Sequence, residues 1–360
     1  MPFNIGTSAA KKVYWGTTEI KKIFSGTTQV WTGDDEFIYV ADGSGYLAKI
    51  TKANGSISAW SSKFYGGTSQ SLISDSSFLY FVAGSMLYKV DKTDLSTVAS
   101  NTTLYVEGNL FLTNGFIYLK SAAATKKLIK LDTSDLSIAA EATLSDSEGI
   151  SSCDWVVDYV DLWGFEYQSG LRYNRNKSTL ALIKNGNSLA SGRYNNVTGN
   201  SWIATLERPD ETCIYINTKA SYTSGYKFLP LGGFIQQRTM YSEPNTDTLY
   251  FAYHTDYYSS ILKYNMGSIV NQSQTSGRVF KVDVLNGYGG QYGCSVRQLT
   301  VIDGFLYAVV NAWDTWDNNT NYEYILKMNK DTGAIITTYP YLQANLGKGL
   351  GLLTTSSTNF

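Results

Sequence analysis

A chain of 360 residues with a formal net charge of −1 and only 16% charged residues lacks the basic patch or stripe that nucleic-acid binders carry. Its 28 tyrosines and 32 glycines against 5 prolines are the composition of many twisted strands joined by tight turns. The 3 cysteines, Cys153, Cys213 and Cys294, are odd in number and share no CxxC spacing, which excludes a disulfide framework and a cysteine zinc site and predicts buried thiols.

Met1-Pro2-Phe3-Asn4-Ile5 shows no basic region followed by an apolar one, and no later stretch approaches the length of a membrane-spanning helix. The expectation is a soluble chain without signal peptide or membrane insertion.

The first elements form a repeat. Lys11-Lys12-Val13-Tyr14-Trp15-Gly16-Thr17-Thr18-Glu19-Ile20 is followed directly by Lys21-Lys22-Ile23-Phe24-Ser25-Gly26-Thr27-Thr28-Gln29-Val30, a step of ten residues, and a degraded copy begins at Ile5-Gly6-Thr7. Gly-Thr-Thr between β-branched and aromatic runs is turn chemistry between short strands. Each unit is too small to bury a face alone, so it must pack on a neighbour or a partner. The apolar positions Val13, Tyr14, Trp15, Ile23, Phe24 and Trp31 are the candidate attachment residues.

This opening resembles the N-terminal leader of tailed-bacteriophage virion proteins, in which Gly-Ser/Thr-x-x-Val-x-Lys-Val-Tyr phrases precede unrelated fibre or adhesin modules. The match covers residues 1–33. It implies that this segment attaches the chain to other virion structural proteins, in multiple copies per particle, and that the chain is made in a host cytoplasm and resides in the virion.

Beyond residue 33 a longer unit returns. Its marker is apolar, any residue, Lys, apolar, then Asp, Asn or Thr: Leu47 to Thr51, Leu87 to Asp91, Leu128 to Asp132, Ile261 to Asn265 and Ile325 to Asn329. Ahead of each lies a second apolar run, opening at Phe37, Phe78, Phe116, Leu249 and Phe305. Lys49, Lys89 and Lys130 stand 40 and 41 residues apart, and a period near forty with several strands per unit is that of a β-propeller blade. Weaker units around Leu180-Ala181-Leu182-Ile183-Lys184 and around Ile214-Tyr215-Ile216 with Tyr226-Lys227-Phe228 bring the count to seven. The predicted fold is therefore all-β, a seven-bladed propeller over residues 34–360 preceded by a short strand-repeat tether.

Gly349 to Thr355 resembles the inner strands ending near Ser74, Thr113 and Val301 but has no unit after it, whereas the first unit lacks such a strand. The end of the chain is thus expected to supply the first blade's inner strand, sealing the ring and hiding its edges. Loops joining second to third strands, and those leading into inner strands, then lie on the face away from the leader. They read as short in the first blades and long later, at Gly164 to Lys177, Thr255 to Ser260 and Asn311 to Tyr322.

Enzymatic constellations are sparse. His254 is the only histidine, which removes metal sites built on several imidazoles, and no Gly-x-Ser-x-Gly elbow accompanies it. Asp34-Asp35, or Asp314 with Asp317, would be the carboxylates of a glycosidase, and Asp314 to Asn319 is oxygen-rich without the spacing of a calcium loop. Asp42-Gly43 and Asp303-Gly304 read as hairpin turns. The expectation is a non-enzyme needing no metal and no cofactor, with a propeller hydrolase or lyase and a cellular interaction scaffold as alternatives.

The aromatics of the long loops remain: Tyr257, Tyr258, Tyr288, Tyr292, Trp313, Trp316 and Tyr322, with Tyr167, Arg172, Tyr173 and Arg175 on the fourth unit. Tyr and Trp offer flat apolar surface with a polar edge and little rotamer entropy to lose. They are the candidate binding residues for a host surface glycan or protein.

Overall fold

The computed structural model describes residues 13–15, 18–20, 22–25, 28–32, 37–42, 45–65, 69–121, 123–145, 153–157, 161–166, 172–186, 193–198, 201–207, 213–218, 227–230, 239–243, 246–254, 259–269, 275–284, 292–314, 321–339 and 350–354. The leader phrases fold as antiparallel hairpins, Val13–Trp15 with Thr18–Ile20 and Lys22–Ser25 with Thr28–Thr32. Trp15 pairs with Thr18 and Ser25 with Thr28; the Gly-Thr of each phrase lies outside the described residues. Val13 pairs with Ile20, Tyr14 with Glu19, Ile23 with Trp31 and Phe24 with Gln29. Among the described residues neither hairpin shares a ladder with another sheet. The degraded copy at Ile5 and the paired lysines Lys11-Lys12 lie outside them.

The rest forms a β-propeller. Seven four-stranded antiparallel sheets are described, and their inner strands neighbour one another in an unbroken cycle that returns from Leu350–Thr354 to Ser69–Ser74. The first sheet takes its inner strand from the end of the chain: Leu350–Thr354 pairs with Phe37–Asp42, Thr354 opposite Tyr39.

In the first, second, third, sixth and seventh sheets the second strand is buried on both faces. Ile38 and Val40 pack against Tyr307, Val309 and Ile325 of the seventh sheet, while Tyr39 and Ala41 pack against Leu72, Leu79 and Phe81 of the second. That explains an unbroken apolar run where a half-exposed strand would alternate. Each fully buried aliphatic or aromatic side chain contributes about 1.5–3 kcal/mol.

The recurrent lysine fastens blades together. In the first, second, third, sixth and seventh sheets it pairs directly with the Tyr of the second strand: Tyr39 with Lys49, Tyr80 with Lys89, Tyr118 with Lys130, Tyr250 with Lys263, Tyr307 with Lys327. In the first, second and sixth sheets both members reach the turn before the next blade's outer strand, and in the third Tyr118 Oη donates to Lys177 O at 3.0 Å. Tyr39 Oη donates to Lys92 O at 3.2 Å and Lys49 Nζ to the same oxygen at 3.0 Å. Lys89 Nζ donates to Thr133 O and Ser134 O, each at 2.8 Å, and sits 4.2 Å from the Phe78 ring centroid. Two carbonyls and an aromatic face make this buried ammonium tolerable. In the sixth sheet Lys263 Nζ instead meets Asp331 Oδ1 at 2.8 Å, and Tyr250 Oη donates to Lys330 O at 3.3 Å.

The receiving turns share one geometry. Their fifth residue has positive φ, donates its N–H to the first residue's carbonyl, and is Leu95, Leu136 or Leu180 in three blades and Gly55 or Gly333 in two. Leucine is uncommon at positive φ. It is held there by burial between blades, all three being 3% exposed or less.

Two expectations need correction. Leu180 to Lys184 is not a copy of the lysine-marked third strand: Leu180 closes the turn, Leu182–Gly186 is the outer strand, and the third strand is Arg172–Asn176. Nor is Gly164 to Lys177 one long loop, because Asp161–Glu166 and Arg172–Asn176 pair there. Thr255 to Ser260 and Asn311 to Tyr322 are shortened in the same way, by strands Ser259–Asn265, Phe305–Asp314 and Asn321–Asn329.

Candidate binding face

Phe37 opens the first blade's second strand and Thr354 ends its inner strand beside Tyr39, so chain entry and the last described residue share one edge of the sheet. The lysine-fastened turns lie at that edge. At the opposite edge are the connections from second to third strands and from each outer strand to the next inner one.

Three sequence candidates come together at this far edge on the seventh blade. Tyr292 pairs with Asp314, Trp313 with both Gly293 and Asn321, and Tyr322 with Ala312. They occupy adjoining rungs of three neighbouring strands, not loops. Below them Ser295 and Asn311 are direct cross-strand partners, and Ser295 Oγ and Asn311 Oδ1 are buried without a hydrogen-bond partner. Each such orphan costs about 1–3 kcal/mol.

Arg172 opens the fourth blade's third strand at the same edge, opposite Phe165. Tyr173 does not belong to the exposed set. It is 4% exposed and packs with Tyr118, Leu162 and Leu180, because this third strand is buried on both faces, its neighbour Asn174 being 3% exposed. Arg175 is likewise buried and donates from Nη1 to Leu180 O at 2.7 Å, closing the turn. Tyr167, Tyr257, Tyr258, Tyr288 and Trp316 lie outside the described residues, as do Asp34, Asp35, Gly43 and Asp317.

Two exposed aromatics escaped the sequence reading. Tyr65 is 81% and Tyr105 56% exposed, and both sit on outer-to-inner connections at the far edge, after the first and second blades. The available signal is local: each follows a buried apolar residue, Phe64 or Leu104.

Reactive groups at this edge are occupied structurally. His254 ends its strand opposite Ser259. The Cys294 thiol donates to Val284 O at 3.0 Å, and burial pushes its pKa up, which makes it a poor nucleophile. At the opposite edge, Asp303-Gly304 forms the expected hairpin turn between the seventh blade's inner and second strands, with φ of 47° and 76°. Among the described residues no three His, Cys, Asp or Glu side chains group as a metal site, and no helix is long and apolar enough to cross a membrane.

No protein-family model and no curated protein matches the chain. Solved structures do match in shape. Dihydro-heme d1 dehydrogenase NirN in complex with DHE superposes with a TM-score of 0.53 at 14% identity, over 86% of this chain and 74% of that one. Hsv2 of Kluyveromyces lactis superposes with a TM-score of 0.53 at 12% identity, over 85% of this chain and 95% of that one. Likeness at such identity carries the fold, a β-propeller, and not the activity.

Proposed function

We propose that the protein is a non-enzymatic structural or adhesive component of a tailed-phage particle. Residues 1–33 form the attachment segment and 34–360 the propeller, whose far face meets a host surface glycan or protein or another virion subunit. The observation that carries this reading is the period-ten leader, whose two phrases fold as separate two-stranded hairpins outside the blades' ladders. A lone two-stranded hairpin is marginal in water. Docking on a virion protein, by strand addition or through Trp15, Phe24 and Trp31, supplies the missing surface.

The far face is supported by what it sacrifices. Orphaned Ser295 and Asn311 near the far end of the seventh blade, and Tyr105 at φ 47°, are costs that a surface selected for stability alone would shed. Several copies on one particle would turn weak single contacts into avidity. The chemistry is binding, with no cofactor.

The test is incorporation. Particles assembled with a chain lacking residues 1–33 should omit the protein, while the purified truncated chain keeps the far-ultraviolet circular dichroism of the intact propeller. Equal incorporation of full and truncated chains would refute the attachment role.

A further inference from the structure

We propose that Tyr65 and Tyr105 form a saccharide-stacking clamp on the far face, bracketing the second blade's turn at Gly84-Ser85-Met86. It deepens the binding-face reading and rests on it only for which face meets the ligand.

Both tyrosines are displayed from fixed backbone. Phe64, 5% exposed, packs edge-on against Phe81 and Tyr88 at ring-centroid distances of 5.1 and 5.0 Å, and its N–H donates to Gly45 O at 2.9 Å. Tyr88 Oη donates to Tyr65 O at 3.4 Å and lies 3.8 Å from Met86 Sδ, tying Tyr65 to one side of the turn. On the other side Val106 N donates to Ser85 O at 2.9 Å, and Ser121 Oγ to Leu104 O at 2.7 Å, which fixes Tyr105 between two held residues.

Tyr105 has φ 47°. It is the one aromatic residue among the described residues at positive φ, a conformation glycine adopts without strain and a bulky side chain does not. The leucines at positive φ are compensated by burial. Tyr105 is exposed and has no such return, so the side chain is retained for what it presents to solvent.

The chemistry favours a saccharide over other partners. The apolar residues flanking the tyrosines, Phe64, Leu104 and Val106, are buried at 5% exposure or less, so the rings stand singly over a polar turn and build no contiguous apolar patch for a protein. Lys63 is the one cationic residue within two positions of either tyrosine in the chain, and Lys120 and Lys126 beside the Tyr105 connection are paired with Glu107 at 3.5 and 3.8 Å, too little free positive charge for a phosphate backbone. Separated rings with hydroxyl edges over backbone and serine groups match a sugar, whose C–H face stacks while its hydroxyls hydrogen-bond.

The experiment uses the purified full chain on an array of neutral and acidic oligosaccharides, with Tyr65→Ala and Tyr105→Gly beside it and the Tm of each recorded. The expected result is saccharide binding that falls about tenfold or more in each variant, as for an anchoring aromatic, with Tm unchanged for Tyr65→Ala and unchanged or raised for Tyr105→Gly. A wild-type chain that binds no saccharide, or binding that survives both substitutions, would overturn the clamp. Binding of an unglycosylated protein through the same two residues would overturn the saccharide assignment. The measurement needs no particle, so failure of the virion reading would leave it standing.

Discussion

Gly333 lies under the ring of Phe280: a Cβ built on it would stand 2.8 Å from Phe280 Cδ2 and 2.6 Å from Val282 Cγ2. Phe280 pairs with Lys263, the position held by Ala59, Ala99 and Ala140 opposite Lys49, Lys89 and Lys130. Where that residue is Ala, the next blade's turn carries a buried Leu; where it is Phe, the turn carries Gly. The large group has changed sides of the blade junction. Gly55 meets Tyr339 in the same manner, an added Cβ falling 2.5 Å from Cδ1.

Gly333→Leu alone should therefore overpack the junction and destabilise by about 1–3 kcal/mol, and Phe280→Ala alone should open a cavity at about 3–5 kcal/mol. Together they recreate the Ala-Leu junction of the earlier blades. Chemical denaturation of the four proteins should give a favourable coupling of at least about 1 kcal/mol. Additive losses would show that the junction does not exchange volume in this way.

The fastening pairs yield a second expectation. Replacing Tyr39 by Phe removes its bond to Lys92 O and should cost about 0.5–1.5 kcal/mol, while Tyr80→Phe also strips the 2.7 Å bond to Asp75 Oδ2 and should cost about 1.5–3 kcal/mol. Lys89→Met should cost more, because it strips charged donors from Thr133 O and Ser134 O. The fourth and fifth sheets carry Trp163 with Asn174 and Ala204 with Ile216 at the equivalent rungs, and so lack this fastening. Hydrogen exchange should open these two blades before the others. Uniform protection around the ring would contradict that.

The same substitution explains what was legible in the sequence. Tyr39 and Lys49 recur because the same Tyr-Lys rung is used in five sheets, so five units announce themselves. The fourth and fifth were faint because the bonded pair is gone although the strands persist. Leu180 passed for a strand residue because a buried leucine at positive φ looks apolar in the same way as its strand neighbours. Arg172–Asn176, polar in sequence, reads as loop, since the partners that bury Tyr173 and Arg175 are supplied by other segments. Tyr65 and Tyr105 went unseen for the opposite reason: single exposed rings on short connections have no period.

Ring closure should depend on the last strand. Leu350–Thr354 covers the inner edge of Phe37–Asp42, and Tyr339 Oη donates to Lys52 O at 2.8 Å while Lys52 pairs with Asp303 across the same junction. A chain ending at residue 349 should expose the Phe37–Asp42 edge and associate through it. Light scattering should show concentration-dependent oligomers for the truncated chain. Tyr339→Phe, which keeps the strand, should stay at the wild-type mass and lose only about 0.5–1.5 kcal/mol.

Both ends of the pH scale should weaken the ring, for opposite reasons. Asp132 and Asp135 are held below the usual carboxylate range by hydrogen bonds from Ser134 and Ser137, and Asp331 by its bond from Lys263. A depressed folded-state pKa gives stability that is present above the unfolded value, about pH 4, and lost as pH falls through the folded one. Tyr118 is pushed up to about 12 by burial, and burial also raises Tyr80 and Tyr250. Their contribution is complete below the unfolded tyrosine value near pH 10 and is lost as pH rises through the folded values. Denaturation midpoints should thus be flat across neutral pH, fall below about pH 4 and fall again above about pH 10. In alkaline titration these buried tyrosines should ionise together with loss of strand circular dichroism; tyrosinate absorbance rising to completion while the strands persist would show that the phenols are open to solvent.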